Sequence, residues 1–142
     1  MRELQQGGFD VSIHVEVSVG EFIDKLTILE IKCERMRDPA RAANVRRELE
    51  VLLDAWAASP FSSHDVRSER SKLRAVNERL WEIEDELRAL EAEGRFDARF
   101  IELARLVYRT NDERAAIKQR INLRLGSNLI EEKQHPVYPR RA

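Results

Sequence analysis

The chain has 142 residues, enough for one domain that buries roughly two thirds of its unfolded surface. Charged residues make up 36% of it and aromatics 6%, and 25 basic side chains interleave with 26 acidic ones to a net charge of -1, which excludes the one-signed field that steers proteins onto nucleic acid or membranes. A single cysteine, Cys33, excludes an internal disulfide, and the sequence holds neither a signal-peptide core nor a run of about 18 apolar residues, so a cytoplasmic protein is expected.

Residues 1–10, with Gln5, Gln6, Gly7 and Gly8, form a flexible lead-in. Val11, Ile13, Val15 and Val17 then alternate with Ser12, His14, Glu16 and Ser18, a period-two pattern that predicts one short β-strand. A lone strand needs a partner, and the candidates are the tail near Leu129 to Glu132 or a second subunit. Ser18-Val19-Gly20-Glu21 reads as a capping box that opens the first helix. Its stripe of Phe22, Leu26, Leu29, Cys33 and Met36 is joined by Ile28 and Ile31 on nearly the opposite side, which makes this helix the central element, covered on two faces, with Cys33 in the core.

Asp38-Pro39 starts a second helix marked by Val45, Leu49, Leu52 and Trp56, and Ser59-Pro60 ends it. After a short loop at 61–65, the heptad series Leu73, Val76, Leu80, Ile83, Leu87 and Leu90 predicts a third helix over 66–93 with a coiled-coil seam. Gly94 stops it, Asp97 caps a fourth, and Gly126 closes that one, so the last two helices form a hairpin. The segment 134–142, interrupted by Pro136 and Pro139, is a loose tail. The expected fold is therefore mainly α: a four-helix bundle-like arrangement over 11–133 with a long C-terminal hairpin and one N-terminal strand. The hairpin helices reach about 40 Å and the first two about 28 Å at 1.5 Å per residue. That mismatch, with the orphan strand, predicts a homo-oligomer, a dimer above all, and a hairpin able to receive a protein partner.

On the fourth helix Phe100, Leu103, Val107, Ile117, Ile121 and Leu125 share a stripe, and Arg114 lies in its middle with Thr110. Asn111, Lys118 and Asn122 flank it. A buried guanidinium needs a carboxylate or a ligand. One reading pairs Arg114 with Glu30 on the first helix and leaves the asparagines to fix helix register; the weight falls on this one. The other makes Arg114, Lys118, Asn111, Tyr108 and Asn122 a donor-rich site for a small phosphate or carboxylate, with Asp24 or Glu30 as a proton-transfer group. Asp24 also fits a simpler place in the first turn, answering the helix dipole.

Glu78, Glu82, Asp85 and Glu86 resemble the carboxylate ladder of magnesium-dependent helical pyrophosphohydrolases, but they alternate with Arg79 and Arg88 away from the seam and read as a solvated, salt-bridged face. His14, His64 and His135 stand apart from each other and from Cys33, so no metal site, cofactor or catalytic set is expected. Trp56 and Trp81 read as packing anchors.

Three segments carry a family resemblance: residues 15–32, containing Ser18-Val19-Gly20-Glu21-Phe22-Ile23-Asp24-Lys25-Leu26; Leu80-Trp81-Glu82-Ile83-Glu84-Asp85; and residues 108–118, containing Tyr108-Arg109-Thr110-Asn111-Asp112-Glu113-Arg114. Ile121-Asn122, Gly126-Ser127 and Glu131-Glu132-Lys133 extend the last. Together they resemble a family of short bacterial proteins carried as a domain of unknown function, over roughly residues 13–133. The resemblance implies a mainly helical fold and no activity. Arg114, Lys118, Glu30 and Arg35 also offer the chemistry with which helical chorismate mutases hold a dicarboxylate, although the arginines those enzymes space along a long first helix are missing. The leading expectation is an oligomeric interaction or scaffold module; the alternative is a binding protein or enzyme for a small anionic metabolite, sited between the first and fourth helices.

Overall fold

A computed structural model describes residues 11–134 and 136–137. The predicted lead-in and most of the tail lie outside the described residues. Four helices follow one another: α1 (Val19–Arg35), α2 (Pro39–Ala58), α3 (Arg67–Ala92) and α4 (Ala98–Leu125). Their ends are where short-range chemistry puts them. The Ser18 hydroxyl accepts from the Glu21 N–H at 3.1 Å, Pro39 occupies the first turn of α2, Asp97 accepts from the Phe100 N–H, and Gly126 closes α4 at φ 65°.

The predicted N-terminal strand is not there. Among the described residues no strand occurs, and residues 11–17 run irregularly with Val11 and Ile13 almost wholly exposed and Val15 largely so. Alternation alone stabilises nothing without a ladder. The tail does meet the start of α1, but through side chains: the Ser18 hydroxyl donates to Glu131 Oε1 at 2.6 Å, and the Val19 N–H donates to the Ser127 hydroxyl at 3.2 Å.

As expected, α1 is central and packs on α2, α3 and α4. Val19 and Ile23 join Val66, Leu73, Val76, Leu80, Ile117, Ile121 and Leu125 in the core, with Trp56 and Phe61 against its edge. Cys33, expected in that core, is only half-buried. Helix α2 has no buried residue and leans on α1 alone, held by Val45, Leu49 and Leu52 and by Trp56, whose ring stacks on Phe22 at 6.0 Å. Few buried contacts mean a low opening free energy. In native-state hydrogen exchange the α2 amides are therefore expected to exchange well before those of α1 and α3; equal protection in all three helices would contradict this packing.

The 26 residues of α3 and 28 of α4 outrun the 17 of α1. Beyond the reach of α1 the two long helices bury Leu90 and Leu103 between themselves, while Phe96 and Ile101 stay more than half exposed at the tip.

Candidate functional site

Asp24 sits in the second turn of α1, on the face it shares with Thr27 and Ile31, and all three are completely buried. It is not a solvated first-turn residue. The Thr27 hydroxyl donates back to the Asp24 carbonyl at 2.7 Å, which leaves the hydroxyl oxygen to accept from the Asn77 amide at 2.9 Å. The same Asn77 amide nitrogen, on α3, donates to Asp24 Oδ1 at 2.8 Å. From α4, Arg114 Nε donates to Asp24 Oδ1 at 2.9 Å, and Arg114 Nη2 donates to Oδ2. This is a fork-to-fork pair, the geometry in which guanidinium and carboxylate interact best. Its hydrogen bonds hold the Arg114 guanidinium above the ordinary arginine pKa, against the effect of burial.

The expected Arg114 to Glu30 pair is thus corrected. Glu30 lies with Ile23 and Leu26, about 120° around α1 from Asp24 at 100° per residue. There it accepts from Arg70 and, at 3.1 Å, from Arg74 on α3. Arg74 also donates to Glu78 at 2.8 Å and to Glu34, whose carboxyl is held below its usual range by that bond.

Toward the other end of α1, Lys118 Nζ donates to Glu21 Oε2. The Glu21 carboxylate is therefore drawn to α4, and the capping box keeps the Ser18 half of its reciprocal pair. Asn122 Oδ1 accepts from the Gly20 N–H at 2.6 Å. A Cβ on Gly20 would fall far inside contact distance of the Lys118 carbonyl oxygen and 3.0 Å from its carbon, so the absence of a side chain is what lets α1 and α4 touch here. Ser18 with Glu131, Gly20 with Asn122, Glu21 with Lys118, and Asp24 with Arg114 form an ordered antiparallel ladder.

Past the Asp24 pair, α1, α3 and α4 diverge around a cleft of about 320 Å³. Ile28, Ile31 and Lys32 line it from α1, Asn77, Leu80, Trp81 and Glu84 from α3, and Asn111 and Arg114 from α4. The Arg114 side chain lines this space and retains 27% exposure, and Asp24 engages its Nε and Nη2, which leaves Nη1 without a hydrogen-bond partner among the described residues. Lys32 makes no ion pair among the described residues. Arg35, bonded to Glu82 at 3.3 Å, lies 5.8 Å over the Trp81 ring.

Of the residues expected at a site, Arg114 and Asn111 meet at this cleft and Asp24 stands behind it. Lys118 and Asn122 belong to the ladder, Glu30 to the α1–α3 ion network, and Tyr108 is exposed on α4. Sequence reasoning missed Asn77, Lys32 and Glu84, and read Trp81 as packing only. Asn77 carried a signal, because it falls beside Val76 between the seam residues Leu73 and Leu80, where a polar side chain demands a partner. Glu78, Glu82, Asp85 and Glu86 all have arginine partners. Among the described residues no group of three metal-ligating side chains converges, and no helix is long and apolar enough to cross a membrane.

The arrangement defines a mainly α, four-helix protein whose core is tied across α1, α3 and α4 by a buried ion pair and its amide. The chain belongs to DUF6165, a family of unknown function, whose match covers residues 13–138. No curated protein and no solved structure matches the chain.

Proposed function

We propose that this protein binds a small metabolite through an anionic group, a phosphate or a carboxylate, in the cleft between α1, α3 and α4. The observation that carries the reading is Arg114: a fully buried Asp24 fixes its Nε and Nη2, and the same side chain lines the cleft with Lys32 and Asn111. Donors held in place before the ligand arrives lower the cost of binding. The test is a thermal-shift screen of phosphates, nucleotides, sugar nucleotides and carboxylates, repeated on Lys32→Met and Asn111→Ala. A stabilising hit on the wild type that both variants lose is expected; a hit that both retain, or no hit in any class, would reject the site. The reading includes a cytoplasmic protein of bacterial origin, supported by the single thiol and the family resemblance.

A second reading keeps the protein as an oligomeric interaction module, joined to a second copy through the hairpin. Supporting it are the length of α3 and α4 beyond α1 and the apolar side chains exposed at their tip, Phe96 and Ile101. A monomeric mass by light scattering at micromolar concentration would end it. The two readings are compatible, since the tip and the cleft occupy different stretches of the hairpin.

A further inference from the structure

Resting on the reading of the cleft as a ligand site, we infer that its ligand is a free α-amino acid with an apolar side chain. Three properties of the cleft point there. The first is charge. Two cations line the space, but Asp24 already answers Arg114, and Glu84 stands on the opposite helix, close enough to Arg114 to add to the rise of its pKa. Among the described residues Lys32 has no ion-pair partner, and Glu84 pairs with Arg88 alone, at 4.0 Å, the outer limit of an ion pair. The balance is near zero, which suits a zwitterion and disfavours a phosphate dianion.

The second property is the wall. Ile28, Leu80 and Trp81 line the same space with apolar side chains, against which an aliphatic or aromatic side chain packs. The third is size: about 320 Å³ lies at the small end of the roughly 300–1,000 Å³ usual for ligand pockets, a space that an amino acid fills. In the arrangement these features define, the carboxylate meets Lys32, Asn111 and Arg114 Nη1, the ammonium meets Glu84, and the side chain lies on the wall.

Isothermal titration calorimetry on the full chain tests this with L-leucine, L-phenylalanine, N-acetyl-L-leucine and inorganic phosphate. Leucine or phenylalanine is expected to bind, and N-acetylation, which keeps the carboxylate and removes the cation, is expected to weaken leucine at least tenfold. Glu84→Gln should erase that difference, and Lys32→Met should abolish binding of both forms; both side chains reach solvent, and circular dichroism verifies that each variant is folded. N-acetyl-leucine binding as tightly as leucine, or phosphate binding more tightly than either amino acid, would overturn the zwitterion while leaving an anion site standing. Heat from none of the four would overturn the amino acid, and the wider thermal-shift screen then decides separately whether the cleft binds anions at all.

Discussion

Replacing Arg114 with alanine is expected to lower the unfolding free energy by about 3–5 kcal/mol, read from urea denaturation, because the substitution strands a buried carboxylate. Asp24 has no exposure to solvent, and both its oxygens accept from Arg114. Among the described residues Asn77 alone then remains to hold a charge that water cannot reach. The companion substitution decides the mechanism. In Arg114→Ala with Asp24→Ala the stranded charge is gone, and the double variant is expected to be more stable than Arg114→Ala, a coupling that a merely lost packing contact does not produce. A loss under 1 kcal/mol in the single variant would mean that Asp24 is solvated or protonated without Arg114, and the clamp behind the cleft would lose its basis.

The second large effect is expected at Gly20. Glycine to alanine inside an exposed helix ordinarily stabilises by roughly 1 kcal/mol, since alanine is the better helix former. Here the sign should reverse. The atoms that the new methyl meets are the Lys118 carbonyl group, which is backbone and cannot swing aside, and Asn122 Oδ1 at 3.0 Å, which is engaged by the Gly20 N–H. Parting α1 from α4 stretches the Asn122 bond and loosens Ile23 against Ile117 and Ile121, at a cost of about 1–3 kcal/mol for alanine and more for valine. Alanine matching or exceeding the wild type in the same denaturation would show that the two helices do not approach as described.

Both effects depend on partners about ninety to a hundred residues away, and this separates what could be read from the sequence from what could not. The helix ends were legible because their causes are local: Asp38-Pro39, Ser59-Pro60, Gly94, Asp97 and Gly126 act on the turn they occupy. The heptad of α3 and the stripe of α4 were legible because periodicity reports burial. Val107 and Phe100 on that stripe are only half-buried, since they lie where α1 no longer covers the hairpin.

Choice of partner was not legible. Asp24 and Glu30 are both carboxylates on α1, and only the rotation of that helix decides that the first faces α4 and the second α3. Glu21 has the right type and spacing for a capping box, yet a lysine from α4 takes its carboxylate. The alternating segment at 11–17 met its pattern and no ladder, because a pattern names a face without supplying the neighbour. The cleft has the same origin: Lys32, Glu84 and Asn111 come from three helices and share nothing in sequence.

The antiparallel ladder also sets how the fold answers a pulling force. The chain enters α1 beside the point where it leaves α4, so tension applied between residues 11 and 134 loads one rung at a time: Ser18 with Glu131 first, then Gly20 with Asn122, Glu21 with Lys118, and last Asp24 with Arg114. That is an unzipping geometry, in which each bond carries the whole load in turn. Mechanical weakness at that edge can accompany ordinary thermodynamic stability, and the strongest rung, the buried fork, is also the one that guards the cleft.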